Sequence, residues 1–282
     1  FAALKDDGSV ISWGNNSYGG ESSDVADHLS SGVSQIVSNG SAFAALKNDG
    51  SVISWGNNSY GGDSSDVAAE LSSGVSQIFS TSRAFAALKN DGSVVTWGNN
   101  SSGGRLRVNK AEQLRSGVSQ IFSTSHAFAA LKDDGSVITW GSNDLGGRPS
   151  RSKAAQLRSG VSQIFSTQSA FAALKENGSV ITWGSHSYGG DSSSVEEELT
   201  SGVSQIFSAR FAFAALKDDG SVITWGRSSW GGNSSDVAAE LSSGVSQIFS
   251  ARSAFAALKD DGSAITWGRS SWGGNSSDVA AE

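Results

Sequence analysis

The word FAALK occurs seven times, with its Phe at Phe1, Phe43, Phe85, Phe128, Phe171, Phe213 and Phe255. The intervals are 42, 42, 43, 43, 42 and 42 residues. A fixed period of this size means that one supersecondary unit is copied along the chain. Such a unit cannot cover its own apolar face, so its neighbours must. The expectation is one domain over residues 1–282 in which every repeat is flanked by others. Only six copies of GVSQI accompany the seven of FAALK, and the chain is 14 residues short of seven full periods. The domain is therefore expected to lack one strand at its ring junction.

Within a repeat the pattern is that of strands. VSQIF at 118–122 is short, apolar and bounded by Gly and Ser, which reads as a strand. FAAL at 128–131 is a second and VITW at 137–140 a third. Between the last two stands Asp134-Gly135. Asx-Gly between apolar runs is the strongest short-range hairpin signal, since both residues tolerate φ > 0. All seven repeats keep it. After Trp-Gly comes a polar loop closing on Gly-Gly, then a weaker segment such as AAQL at 154–157. That segment reads equally as a fourth, outer strand or as a short helical turn. Three or four short antiparallel strands every 42 residues make a propeller blade. The predicted fold class is all-β, a seven-bladed β-propeller.

VSQIFSTSHAFAALKDDGSVITWGSNDLGG at 118–147 resembles the repeat of the regulator of chromosome condensation family. The likeness covers all seven units and about half the positions of each, and it implies the same seven-bladed architecture. The departures limit what else it implies. The family's His is kept only at His126; Ser41, Arg83, Ser169, Phe211 and Ser253 stand at the equivalent places. No insertion matches the wedge of the family's nucleotide-exchange member, so exchange activity is not implied. The compact repeat is closer to short-bladed bacterial members that bind a partner across one face, which implies an extracellular or surface setting.

The repeats differ from one another mainly in two loops. One lies between VSQIFS and FAAL and carries Arg83, His126, Gln168, Arg210, Phe211 and Arg252. The other follows Trp-Gly and carries Tyr18, Tyr60, Tyr188, Trp230 and Trp272. In an antiparallel blade these two connections leave from one edge and the Asx-Gly turn from the other. The loop residues are therefore expected to form a partner-binding face on a rigid scaffold. Drift of unconstrained loops is the competing explanation.

Charge gives a second asymmetry. The net charge is −7, so no global excess of positive charge points to nucleic acid or an anionic membrane. After Gly-Gly, repeats one, two, five, six and seven carry acids, among them Asp24, Asp66, Glu196, Asp236, Asp278 and Glu282. Repeats three and four invert this with Arg105, Arg107, Lys110, Arg115, Arg148, Arg151, Lys153 and Arg158 against the single acid Glu112. This basic sector fits an acidic partner, or the acidic rim of another copy. A solvated rim tuned for solubility accounts for it equally.

No catalytic or cofactor signature is evident. There is no Cys, and the three His (His28, His126, His186) lie in separate repeats without metal-ligand spacing. Asp-Asp-Gly lacks the alternating acids of a calcium loop. Neither metal nor cofactor is expected, nor an enzyme. The expected function is a non-enzymatic protein-binding scaffold. Two alternatives stand beside it: a multivalent carbohydrate-binding propeller, and a structural or engineered symmetric repeat without a specific ligand.

Overall fold

The computed structural model describes residues 1–275. The chain is all-β, with seven antiparallel blades of the propeller type, one per repeat. Blades two to seven are three-stranded meanders and blade one has two strands, Ala2–Leu4 and Val10–Ser12. In blade three the strands are Val75–Ser80, Ala84–Lys89 and Val94–Gly98. The register pairs Phe85 with Trp97 and Leu88 with Val94. No fourth strand forms in any described blade. By density of internal packing the chain falls into two compact units. The first holds Phe1–Asp134 with Ile138–Asn143; the second holds Gly135–Val137 with the chain from Asp144 onward.

The hairpin turn differs from the expectation in one respect. Gly50 N–H donates to the Lys47 carbonyl at 2.9 Å, and Gly50 alone takes the left-handed conformation, at φ 77°. Asp49 stays at negative φ. Its carboxylate instead accepts from the backbone N–H of Ser51 at 2.9 Å and the Ser51 hydroxyl at 2.7 Å. An Asx side chain mimicking a turn of backbone makes positive φ at that position unnecessary. These hydrogen bonds, first from the Ser51 hydroxyl and then from its N–H, hold the Asp49 carboxyl below its ordinary pKa.

The core lies at the seams between successive blades. Between blades two and three, Ala42, Ala44, Leu46 and Val52 meet Leu71, Val75, Ile78, Phe85, Ala87, Val95 and Trp97, all buried. The second unit repeats this between blades five and six with Ala170, Ala172 and Leu174 against Leu199, Val203, Phe213 and Trp225. At the two Ala of FAAL and the Ala before it the seam admits only small residues because the sheets approach closely; Ala84, Ala86 and Ala87 are fully buried. Each seam is sealed by one arrangement. Phe85 and Trp97 stack across the strand pair with centroids 5.2 Å apart. The Trp97 indole N–H then donates 3.0 Å to the carbonyl of Gly61 in the preceding blade. The same donation joins Trp55 to Gly19, Trp140 to Gly103, Trp183 to Gly146, Trp225 to Gly189 and Trp267 to Gly231. A buried indole needs such an acceptor.

The segment after Gly-Gly is helical, in two forms. In repeats one, two, five and six it opens with a single 3-10 turn, such as Ser65–Val67. In repeats three and four it is an α-helix: α1 (Val108–Gln113) and α2 (Arg151–Gln156). The segment ends on a Leu (Leu29, Leu71, Leu114, Leu157, Leu199, Leu241) that is 1–2% exposed in every described copy. Repeats three and four have one more residue between Gly-Gly and that anchor. With both ends fixed, the extra residue is taken up by a further i to i−4 bond, added to the one that the anchoring Leu N–H makes in repeats one, two and five as well. Ala111 N–H donates to Arg107 O at 2.9 Å and Ala154 N–H to Ser150 O at 2.8 Å. Lys110 and Lys153 favour helix where the other described repeats carry a β-branched Val (Val25, Val67, Val195, Val237).

Candidate functional site

Two loops leave the same edge of each three-stranded blade, and hydrogen bonds join them in blades two, three and five. In blade two, the Asn39 amide donates 2.7 Å to the Tyr60 carbonyl. In blade three the Thr81 hydroxyl donates 3.0 Å to the carbonyl of Ser102, and in blade five the Thr167 hydroxyl donates 2.9 Å to that of Tyr188. The same Thr167 oxygen accepts the Ala170 N–H at 3.0 Å. One hydroxyl thus closes the first loop and ties it to the second. Successive blades are linked as well: Ser82 N–H donates to Ser125 O at 2.8 Å in the first unit. In the second unit Gln168 N–H donates to Arg210 O at 2.9 Å and Arg210 N–H to Arg252 O at 3.1 Å.

In the first unit, Arg83 is exposed and its guanidinium lies 5.2 Å from the Tyr60 ring centroid. His126 is half-buried, and its Nδ1 has no hydrogen-bond partner. Burial, then the nearby charge of Arg83, hold its imidazole below the usual pKa. Tyr18 is exposed. The places of the missing aromatics differ: Ser102 is fully buried, and Leu145, which belongs to the second unit, is half-buried.

In the second unit, blades six and seven have Ala209 and Ala251 where Thr stands in blades three to five. No hydroxyl brace is available there, and side chains take over. Phe211 packs between Tyr188 (centroids 4.6 Å apart) and Trp230 (4.4 Å, edge-on). It is 8% exposed, so this sequence-predicted contact residue is a buried anchor. Gln168 is half-buried and accepts the Arg210 Nε–H at 2.6 Å. Around these rings lie three guanidiniums, and a fourth lies against Trp272. Arg210 is 4.9 Å from Phe211, Arg227 is 5.7 Å from both Phe211 and Trp230, and Arg269 is 5.5 Å from Trp230. Arg252 is 5.5 Å from Trp272.

Arg227 and Arg269 were not singled out from sequence. The available signal was paired change: RSSW recurs in repeats six and seven beside AR at 209–210 and 251–252.

The basic sector divides between the units. Arg105, Arg107, Lys110 and Arg115 flank or occupy α1; Arg148, Arg151, Lys153 and Arg158 flank or occupy α2. The six arginines are exposed, but both lysines are half-buried. Burial lowers the pKa of each; for Lys153 the charges of Asp191 and Glu196 oppose the fall. Lys153 Nζ donates 3.1 Å to the Gly190 carbonyl, so it braces a loop rather than standing free. Asp278 and Glu282 lie outside the described residues.

Each unit also has a polar cleft on the post-Gly-Gly side. One, of about 570 Å³, is lined by Asn58, Asp63, Asp66, Trp97, Asn100 and Arg105 among others. The other, of about 370 Å³, includes Glu198, Thr224, Asn233 and Ser235. Neither is lined by Tyr60 or Trp230. Among the described residues no three of His, Asp and Glu gather as metal ligands, and no helix is long and apolar enough to cross a membrane.

Residues 33–61 match the family model described as the Regulator of chromosome condensation (RCC1) repeat. The repeat is of the RCC1 type. The match falls on blade two with its loops, the unit that the other copies reproduce. No curated protein matches the sequence. Among solved structures the chain is similar to Prp20p from Saccharomyces cerevisiae, described with its binding properties to Gsp1p and histones. There the identity is 18%, over 91% of this chain and 80% of that one, with a TM-score of 0.47. For yeast RCC1 (Prp20) in complex with Kap60 the identity is 19%, over 84% and 70%, with a TM-score of 0.46. The computationally designed Ika8 protein is 12% identical over 94% and 82%, with a TM-score of 0.37.

Proposed function

We propose that this RCC1-type repeat chain is a non-enzymatic protein-binding module, acting as one domain, whose blades present a partner-docking edge. The observation that carries the reading is the bracing of the two variable loops against each other, as at Thr81–Ser102 and Thr167–Tyr188. Loops held this way keep one conformation while their exposed side chains change, so docking costs little ordering entropy. Arg83, His126, Arg210, Arg252 and the loop aromatics make the contacts, with Gln168 and Phe211 supporting them. The exposed arginines on α1 and α2 steer an acidic surface, which is also a route to self-association with the acidic rim of another copy.

The test is capture of a partner from the source's own extract by the full chain and by two variants. Arg83→Ala with His126→Ala and Arg252→Ala removes loop-edge contacts, and Asp49→Ala with Asp91→Ala alters the opposite edge. Capture should vanish with the first set and persist with the second. Loss from neither set, or equal loss from both, removes the loop edge from the account. Replacing Arg105, Arg107, Arg148 and Arg151 together by Glu should slow capture; unchanged capture frees the helices from any role.

The polar clefts favour one second reading, a carbohydrate-binding propeller. Their Asn, Asp and Ser linings suit hydroxyl recognition, but Trp97, the aromatic in the larger one, is only 4% exposed. Glycan-array binding that disappears with Asp63→Ala would establish it.

A further inference from the structure

The four arginines of blades six and seven share a property that the arginines of α1 and α2 lack, and that Arg83 shows singly in the first unit. Arg210, Arg227, Arg252 and Arg269 each lie against an aromatic ring. None of the four forms an ion pair with a carboxylate among the described residues. A guanidinium lying against a ring is held by the ring's negative face and keeps N–H donors at its edge for a planar, bidentate acceptor. The row is also continuous. Arg210 and Arg252 are neighbours through the backbone bond from Arg210 N–H to Arg252 O, and Arg227 and Arg269 share the Trp230 ring. The arginines of α1 and α2 have no such ring contacts.

We propose that this row is the seat of an extended acidic protein segment, whose Asp and Glu carboxylates pair one after another with the guanidiniums. The chemistry selects carboxylates because the fork of Arg matches them bidentately. A phosphate backbone is the poorer fit. Four cations on a chain of net charge −7 fall well short of the basic stripe that holds nucleic acid. The stacked arrangement also reduces the side-chain freedom lost on pairing, which a row of free lysines would lose in full. This inference rests on the docking edge proposed above and names its partner's chemistry.

The experiment is fluorescence anisotropy of a labelled peptide alternating Glu and Gly, titrated with the full chain at low salt. The Gln–Gly peptide and a short oligothymidylate are the comparators. The Glu peptide should bind, the Gln peptide should not, and affinity should fall steeply with added salt. Arg227→Gln with Arg269→Gln should weaken binding about tenfold or more, the loss of charge-assisted hydrogen bonds. Arg227→Lys with Arg269→Lys should give an intermediate loss, since charge is kept and the fork is not. Lys5→Gln, an exposed cation beside the Asp7-Gly8 turn at the opposite edge, should bind like the parent. All these positions are exposed, and equal melting temperatures check that the variants fold. No binding of the Glu peptide, equal binding by the Arg227/Arg269 variant, loss in the Lys5 variant, or preference for oligothymidylate each overturns the proposal. Partner capture at the loop edge surviving such a result would leave the broader protein-binding reading standing.

Discussion

Trp183 and Trp230 are the same side chain put to opposite uses. Trp183 sits in a seam at 1% exposure, stacked on Phe171 and donating to the Gly146 carbonyl. Trp230 sits on the loop edge, half-buried, between Phe211 and two guanidiniums. The first has a counterpart in every repeat, the second only in repeat seven. Space explains the contrast. A Cβ on Gly189, one of the seam glycines, would lie 2.6 Å from the Phe213 ring, so the seam leaves no tolerance for change. At the edge only backbone closure is required, as where Arg227 N–H donates to Phe211 O at 2.9 Å. Side chains there can alter without disturbing the blade.

The sharpest way to break this comparison is to place a methyl in a seam and in an open copy of the same turn. Gly189 has φ +97°, so Gly189→Ala adds backbone strain to overlap and should cost about 2–5 kcal/mol in denaturant unfolding. Gly273 has φ +90° with nothing within 4 Å, so Gly273→Ala should cost only about 1–2 kcal/mol. Equal costs would mean that the seam is looser than its geometry implies. The tryptophans give a second contrast of somewhat smaller size. Trp183→Ala should cost about 3–5 kcal/mol as a buried cavity. Trp230→Ala, half-buried, should cost about 1 kcal/mol by lost contact area. A larger loss at Trp230 would place it in the scaffold and remove it from the docking edge.

The smallest effect is that of pH on His126. Its imidazole is held below the ordinary value of 6.5, by burial and then by Arg83. As pH falls below about 6.5 the unfolded chain takes up the proton first. The contribution of His126 to stability is therefore complete above that pH and is lost as pH falls toward the folded-state value. The melting temperature should decline over this window, and His126→Gln should flatten the decline. An unaltered pH profile in the variant would assign the effect elsewhere.

Much of the fold was legible because the repeat writes it seven times. VSQI, FAALK and the VITWG type fixed three strands and their antiparallel order, and Asx-Gly fixed the hairpin. The acceptor of the tryptophan N–H was not legible, since it lies in the preceding blade, 36 or 37 residues away. The α-helices of repeats three and four left a trace in the two 43-residue intervals. That trace becomes decisive only once the Leu114 and Leu157 anchors are known to be fixed. The loop edge was legible as a set of variable positions, while the roles within it were not. Phe211 reads as an exposed contact and is a buried anchor, because its neighbours Tyr188 and Trp230 belong to other segments of the chain.

The central claim is that the loop edge meets the partner while the turn edge does not. A photo-crosslinking residue placed at Tyr60 or Trp230, compared with one at Asp49 or Asp219, tests it most directly in the presence of the captured partner. The account predicts covalent adducts from Tyr60 and Trp230 and none from the two turn positions. Adducts from Asp49 and Asp219, with none from the loops, would contradict it.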